Sequence, residues 1–304
     1  LDSAIVMDSL CKLGKKVPTF SIGFEYESSY YNEASNAKKI ADYYGFKNNT
    51  INLNSQNIIS HINNILEASD EPFADSSSIA TYMISQAVNK KIKVALTGDG
   101  GDELFGGYRK YIAYRWLPLT NSIPVALKKL LLLTLSDNKN NYFKEQSRKL
   151  KRLLENSNLD ILKTQINFLD QLTEYEFYNL FDENKSLLNE SLFSASKKFE
   201  DKLNKVLVRD FNFSLLGDML VKLDRYSMAN SLEIRSPFLD KDLVDYAFSI
   251  PGKEKIGFLK GKKIIRRAYN KDFPNWYLNL PKKGFEVPLQ KWLTNELKYL
   301  VDES

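Results

Sequence analysis

The sequence predicts an α/β protein with a helical second half. Strand-period and helix-period segments alternate through the first part of the chain. A short apolar strand at 93–97 runs into a glycine-rich acidic loop, and beyond that loop the apolar spacing is almost wholly helical.

The elements follow in order. Ile5, Val6, Leu10 and Leu13 share one helical face, and Gly14 stops it. Phe20, Ile22 and Phe24 alternate with Thr19, Ser21 and Gly23, which predicts a strand. Ala34, Ala37, Ile40, Ala41 and Tyr44 return to helical spacing and end at Gly45. A short strand is expected around Ile51 and Leu53, then a helix carrying Ile58, Ile62, Ile65 and Leu66. A further helix holds Ile79, Ala80, Met83, Ile84, Ala87 and Val88, with Ser76-Ser77-Ser78 as its cap. Lys93–Thr97 reads as a buried strand. Helices between strands imply parallel strands, so Thr19–Phe24, Asn49–Leu53 and Lys93–Thr97 are expected to be neighbours in one sheet. Helical faces at Leu150/Leu153/Leu154, Ile161/Ile166, Leu215/Met219/Leu220/Leu223 and Leu243/Val244/Ala247/Phe248 fill the second half, with a loop-like stretch at Ser136–Ser147. The expected division is 1–110, an α/β part, and 111–304, a helical part.

Composition narrows the function. The 304 residues include 43 Lys and Arg against 38 Asp and Glu, scattered as on a solvated surface (Lys128-Lys129, Lys197-Lys198, Lys262-Lys263), so nucleic-acid binding is not expected. No apolar run spans a membrane. The single cysteine, Cys11, forms no internal disulfide or thiolate zinc site and is expected as a small core residue. The single histidine, His61, leaves no multi-histidine metal site and is expected to be exposed. A reducing, cytoplasmic location follows as the default.

The most informative segment is Leu96-Thr97-Gly98-Asp99-Gly100-Gly101-Asp102-Glu103-Leu104-Phe105-Gly106-Gly107-Tyr108. It lies past the carboxyl end of a strand, where α/β sheets bind ligands, and its glycines permit close backbone approach. A dinucleotide fingerprint starting at Gly98 needs glycine where Glu103 stands. A phosphate-binding loop starting at Gly101 needs Lys then Ser or Thr where Gly107-Tyr108 stand. A calcium loop of the EF-hand kind needs a longer alternating acidic run. The remaining chemistry for Asp99, Asp102 and Glu103 is magnesium bridging phosphates, or a substrate ammonium. Asp2-Ser3 opens an amphipathic helix; these are the residue types of an ordinary helix cap, and by themselves they mark the free N–H groups there as an anion site only weakly.

On these residues the chain resembles the synthetase domain of the glutamine-dependent asparagine synthetase family. Leu1-Asp2-Ser3 is similar to the end of that family's Ser-Gly-Gly-Leu-Asp-Ser pyrophosphate loop. Thr19-Phe20-Ser21-Ile22-Gly23-Phe24, Glu71–Ser78, Gly98–Tyr108, Lys222–Met228, Leu232–Asp240 and Lys282–Leu289 follow in the family's order. The resemblance implies an ATP-pyrophosphatase fold of the adenine nucleotide α hydrolase type. It implies that ATP activates a carboxylate, aspartate first among candidates, as an acyl-adenylate with release of pyrophosphate, and that ammonia displaces AMP. Position by position, Asp2 and Asp102 would hold Mg2+, and Ser3 would donate to a phosphate. Ile22 and Gly23 would border the adenine, and Thr97 and Gly98 the nucleotide. Asp99 would stand near the acyl group and the incoming nitrogen, Lys282 would contact the α-phosphate and acyl oxygen, and Tyr108 is the third catalytic candidate, in the residue set with Asp99 and Lys282 that discriminates between acceptors.

The Ser-Gly-Gly half of that loop, the strand before it and the family's glutaminase domain, the ammonia source, do not occur in these residues. The chain is therefore expected to be an internal part of a longer enzyme, inactive by itself; a homodimer is left open. Three alternatives stay beside this one. A relative on the same scaffold would cyclise or amidate another carboxylate, a cyclase using a Tyr–Glu pair as base. RNA sulphur transfer is disfavoured because it needs reactive cysteines. A scaffold that only binds a partner is the non-enzymatic reading.

Overall fold

The computed structural model describes residues 1–24, 33–71, 73, 75–136, 150–151, 153–154, 195–281, 287, 289–295 and 298. The helix face expected at Ile161 and Ile166, the loop at 137–147 and Lys282 lie outside them. The chain is mixed α/β, and it divides into two compact units. The first comprises Leu1–Gly101, Ser214–Leu243 and Tyr269–Ser304, the second Asp102–Phe213 and Val244–Ala268.

The first unit holds all four strands found among the described residues: β1 (Thr19–Phe24), β2 (Asn48–Leu53), β3 (Val94–Leu96) and β4 (Glu233–Arg235). β1 and β2 pair in parallel from Thr19↔Asn48 to Phe24↔Leu53, joined by the helix Ala34–Tyr43. Gly45, at φ +71, lets the chain turn out of that helix toward β2, a conformation a β-carbon would disfavour. The expectation of one sheet containing β3 is corrected. Among the described residues β3 pairs in parallel with β4, Ala95 opposite Ile234, in a separate two-stranded sheet. Nor is β3 buried on both faces: Val94 and Leu96 are exposed and Ala95 half-buried, because alternate side chains face opposite ways and one side is left open.

Among the described residues the helices bear out their periods with three local corrections. Asp2–Lys12 forms as one helix and buries Ala4, Ile5, Val6 and Met7; Cys11 falls on its exposed side rather than in the core. The helix expected across Ile58–Leu66 is two short ones, Ser55–Ile59 and Ile62–Glu67. At the break His61 is half-buried, its Nδ1 2.9 Å from both Ser60 Oγ and the Asn57 carbonyl. The helix Ser77–Asn89 is capped not by a serine but by Asp75, whose Oδ1 accepts from the Ser77 amide at 2.8 Å. Ile22, Phe24, Leu53, Ile58, Ile65 and Ile79 share a core with Tyr226, Val287 and Trp292, so residues from both ends of the chain close this unit.

The second unit is helical. Tyr111, Tyr114 and Leu117 of the helix Arg109–Asn121 pack with Val206 and Leu207 of the helix Lys202–Asp210 and with Ile256. The Tyr111 hydroxyl donates to Asp210 at 2.5 Å, and Lys110 pairs with the same carboxylate at 2.6 Å, which satisfies a buried acid.

Candidate active site

In the first unit the acidic loop folds onto the start of the helix Asp2–Lys12. A β-carbon at Gly98 would lie 2.6 Å from Asp2 Cβ and 2.6 Å from the Ser3 nitrogen. One at Gly101 would lie 2.7 Å from the Asp2 carboxylate. Both glycines therefore leave room for Asp2 and for the amide of Ser3, which is why this loop needs glycine at those two positions. The Gly101 amide donates to the Gly98 carbonyl at 3.3 Å, and Gly100 turns the loop at φ +87. The strand end is pinned as well. The Thr97 amide donates to the Arg235 carbonyl at 2.9 Å, and the Thr97 and Ser236 hydroxyls lie 2.9 Å apart. Asp99 is half-buried in the loop.

Ile22 and Gly23 lie in β1. The Ile22 side chain is buried in the core, so any ligand contact from this position is through backbone. A β-carbon at Gly23 would lie 2.6 Å from Asn52 Oδ1 of β2. Of the nucleotide residues expected from sequence, Asp2, Ser3 and Gly98 are thus brought into direct contact, with Thr97 next in the chain. Lys282 lies outside the described residues.

In the second unit Asp102, 9% exposed, forms an ion pair with Lys262. Glu103 is 1% exposed and accepts a hydrogen bond from the Tyr108 hydroxyl at 2.6 Å. Burial pushes the Glu103 carboxyl up to about 7, the Asp102 charge adds to this, and the Tyr108 hydrogen bond and the Lys262 ammonium oppose it. Tyr108 is therefore a positioned donor to Glu103.

The donor chemistry fits magnesium. Asp2 offers hard carboxylate oxygens, and the backbone beside it is bare glycine that a β-carbon would fill. Among the described residues no three His, Cys, Asp or Glu side chains gather into a metal cluster. One or two carboxylates, with phosphates supplying further oxygens, is the usual way magnesium is held beside a nucleotide.

Sequence reasoning missed three participants. Lys262 was read as surface but is buried. Glu103 was named only as one of the loop carboxylates. Lys222, 8% exposed, pairs with Asp75 at 2.5 Å. Burial alone would raise the Asp75 carboxyl, but the Lys222 ammonium and the Ser77 amide outweigh it and hold it below the usual range. Lys222 opens one of the matched segments, but no local pattern gives either lysine its partner, because the partners lie far away in sequence.

A helix start carrying a carboxylate packs here against a glycine loop past a parallel strand, the kind of edge at which α/β proteins bind ligands. The chain belongs to the asparagine synthase family, which it matches over residues 1–304. It is similar to asparagine synthetase [glutamine-hydrolyzing] 1 of Bacillus subtilis, 31% identical over 302 residues, covering 98% of this chain and 46% of that protein. It is also similar to a putative glutamine-hydrolyzing asparagine synthetase of Mycobacterium tuberculosis, 27% identical over 298 residues, covering 96% of this chain and 44% of that one. The amidase chyE of Penicillium rubens is 24% identical over 318 residues, with 93% and 46% covered. The chain thus spans about half the length of the curated relatives it matches. Among the described residues no helix is long and apolar enough to cross a membrane.

Proposed function

We propose that this chain is the synthetase part of an enzyme that uses ATP to amidate a carboxylate, with aspartate as acceptor and asparagine as product. ATP activates the carboxylate as an acyl-adenylate and pyrophosphate leaves; ammonia, released by a glutaminase domain, then displaces AMP. The fold in this reading is the ATP-pyrophosphatase type, with 1–110 as its nucleotide part and 111–304 completing the site. The observation that carries the reading is the contact of Asp2 and Ser3 with Gly98 and Gly101 in a chain matching the family throughout.

The roles follow from the chemistry. Ser3 and the first amides of an eleven-residue helix suit the leaving pyrophosphate. Asp2 and Asp102 would hold magnesium, which supplies positive charge against the phosphates. The backbone at Ile22, Gly23, Thr97 and Gly98 borders the nucleotide. Asp99 accepts a proton from the incoming ammonia, and Lys282 offsets charge on the α-phosphate and acyl oxygen. Tyr108 holds Glu103 and shapes the acyl side. The test is pyrophosphate release by the full-length protein across a panel of carboxylates, with and without glutamine. Aspartate-dependent release, with asparagine formed when glutamine is present, is expected; release with every carboxylate except aspartate would overturn the acceptor.

One observation favours a second reading, a cyclase or an amidase of another carboxylate: the Tyr108–Glu103 pair is the type of base such enzymes use. The burial of Glu103 counts against direct contact with a substrate. Product formation without any nitrogen donor, on the same panel, would favour the cyclase.

A further inference from the structure

In the second unit the loop Gly257–Lys260 carries its apolar residues outward. The Gly257 amide donates to the Lys260 carbonyl at 2.8 Å, which leaves Phe258 and Leu259 as the two central residues of a tight bend. The centre of such a bend normally holds Gly, Asn, Asp, Ser or Pro. Here Phe258 is 51% and Leu259 74% exposed. Leu119, one turn along the helix Arg109–Asn121 from Trp116, is a further exposed apolar side chain.

The root of the bend is fixed. Trp116 lies against Phe258 with ring centroids 4.1 Å apart, and its indole N–H donates to the Phe258 carbonyl at 3.2 Å. Arg115 donates to the Ile256 carbonyl at 3.4 Å, and Ile256 is fully buried against Gly106. Gly261 packs so closely on the Gly106 carbonyl that it has no room for a side chain. An apolar pair held in water on a fixed root forgoes its burial, and an exposed apolar site rimmed by polar groups marks a contact surface.

The surroundings say which surface fits. Between 253 and 267, Lys253, Lys260, Lys263, Arg266 and Arg267 are exposed or half-buried. Glu254 is the one carboxylate in that stretch, and it is shared by Lys263 at 3.1 Å and Arg267 at 3.4 Å. An apolar tip ringed by cations complements a surface that is apolar just beneath a layer of negative charge. A bilayer containing anionic lipid has that order, and it takes in a convex tip without a matching cleft. A second copy of this chain fits less well, because the same cations would meet each other.

We propose that the Gly257–Lys260 bend is a membrane-docking tip: Phe258 and Leu259 enter the interface of an anionic bilayer while the surrounding Lys and Arg side chains contact lipid phosphates. Two apolar side chains anchor weakly by themselves, so the cations are needed as well and binding weakens as salt rises.

The test is co-sedimentation of the full-length protein with vesicles, of phosphatidylcholine alone or of an equal mixture with phosphatidylglycerol, at low and high salt. The unaltered protein is expected to bind the mixed vesicles at low salt, to leave them at high salt, and to leave phosphatidylcholine vesicles unbound. Leu259→Asp is expected to bind the mixed vesicles about tenfold more weakly, because the tip then carries a negative charge toward the interface. Its melting temperature and its pyrophosphate release in solution are expected to be unchanged. Lys253→Glu combined with Lys260→Glu is expected to bind mixed vesicles no better than phosphatidylcholine ones. Should Leu259→Asp not fold, Leu259→Ser removes the apolar tip without adding charge and is expected to weaken binding in the same direction. Unaltered protein that leaves mixed vesicles unbound overturns the proposal, as does a folded Leu259 variant that binds them equally well. Equal binding to both kinds of vesicle, unmoved by the lysine substitutions, overturns the anionic preference. If vesicles stay unbound and Leu259→Asp lowers the molecular mass found by sedimentation velocity, the tip is a contact between copies and the membrane role falls.

Discussion

Gly98 and Gly217 show how the same residue type carries different weight. A side chain at Gly98 would meet Asp2 and the Ser3 backbone, neither of which can rotate away, whereas nothing lies within 4 Å of a β-carbon at Gly217. Gly98→Ala is expected to destabilise the protein by about 1–3 kcal/mol and to abolish most pyrophosphate release. Gly217→Ala is expected to leave both within error or raise the melting temperature slightly. Melting curves and pyrophosphate release of the two full-length variants check this. Lys255 offers a pH test at the same scale. It is 0% exposed, donates to Asn204 Oδ1 at 2.9 Å and lies 4.9 Å over the Phe248 ring. Burial lowers its ammonium to about 7, and the Asp201 charge opposes this only in part. Between that value and the unfolded value of about 10.4, the unfolded chain holds a proton that the folded one lacks. Stability is therefore expected to rise with pH across this window, by at most about 1.4 kcal/mol per pH unit, and not to change below it on account of this group. Subtracting the melting profile of Lys255→Met from that of the unaltered protein isolates the slope; a flat difference from pH 7 to 9 would contradict it.

Among the elements, the helix Ser77–Asn89 depends on one side chain twice. Asp75 caps it through the Ser77 amide and pairs with Lys222 of the helix Leu220–Met228. Asp75→Ala removes a cap and leaves a buried lysine without this partner, so a loss of about 1–3 kcal/mol is expected. Adding Lys222→Met is expected to recover part of it, and a double-mutant cycle on chemical denaturation measures how much. The periods of the helices and of β1 were legible because side-chain spacing is local. The break at Ser60-His61 and the cap at Asp75 were not, since both turn on hydrogen bonds within a few residues that apolar spacing does not report. The partner of β3 was hidden for a different reason: Glu233-Ile234-Arg235 is only three residues long, and so short an alternation does not tell a strand from a loop.

At the scale of the molecule, the chain leaves the first unit after Gly101, returns for Ser214–Leu243, and returns again at Tyr269. β4, Tyr226 and Trp292 all come from those later passages, and they supply the pairing of β3 and part of the core around Ile22. A chain ending at residue 213 would lack every one of them. It is expected to show no cooperative thermal transition by circular dichroism, although it contains β1, β2 and β3; a sharp transition at the temperature of the longer chain would show that the later passages are dispensable.

Alternation of apolar residues determined β1 and β2 and the helices about them, because period and burial are coupled along a single element. Spacing and residue type also marked the Gly98–Tyr108 loop as the centre of interest, whereas the roles expected of Asp2, Ser3 and Asp102 came from the resemblance to a family. That Gly98 and Gly101 touch Asp2, that Lys262 is buried on Asp102, and that Glu103 lies under Tyr108 were decided only by the tertiary structure. A lysine becomes a counter-ion, or a carboxylate a raised acid, through what folding places beside it and how much water it removes. Neither quantity is written in the neighbouring letters of the chain.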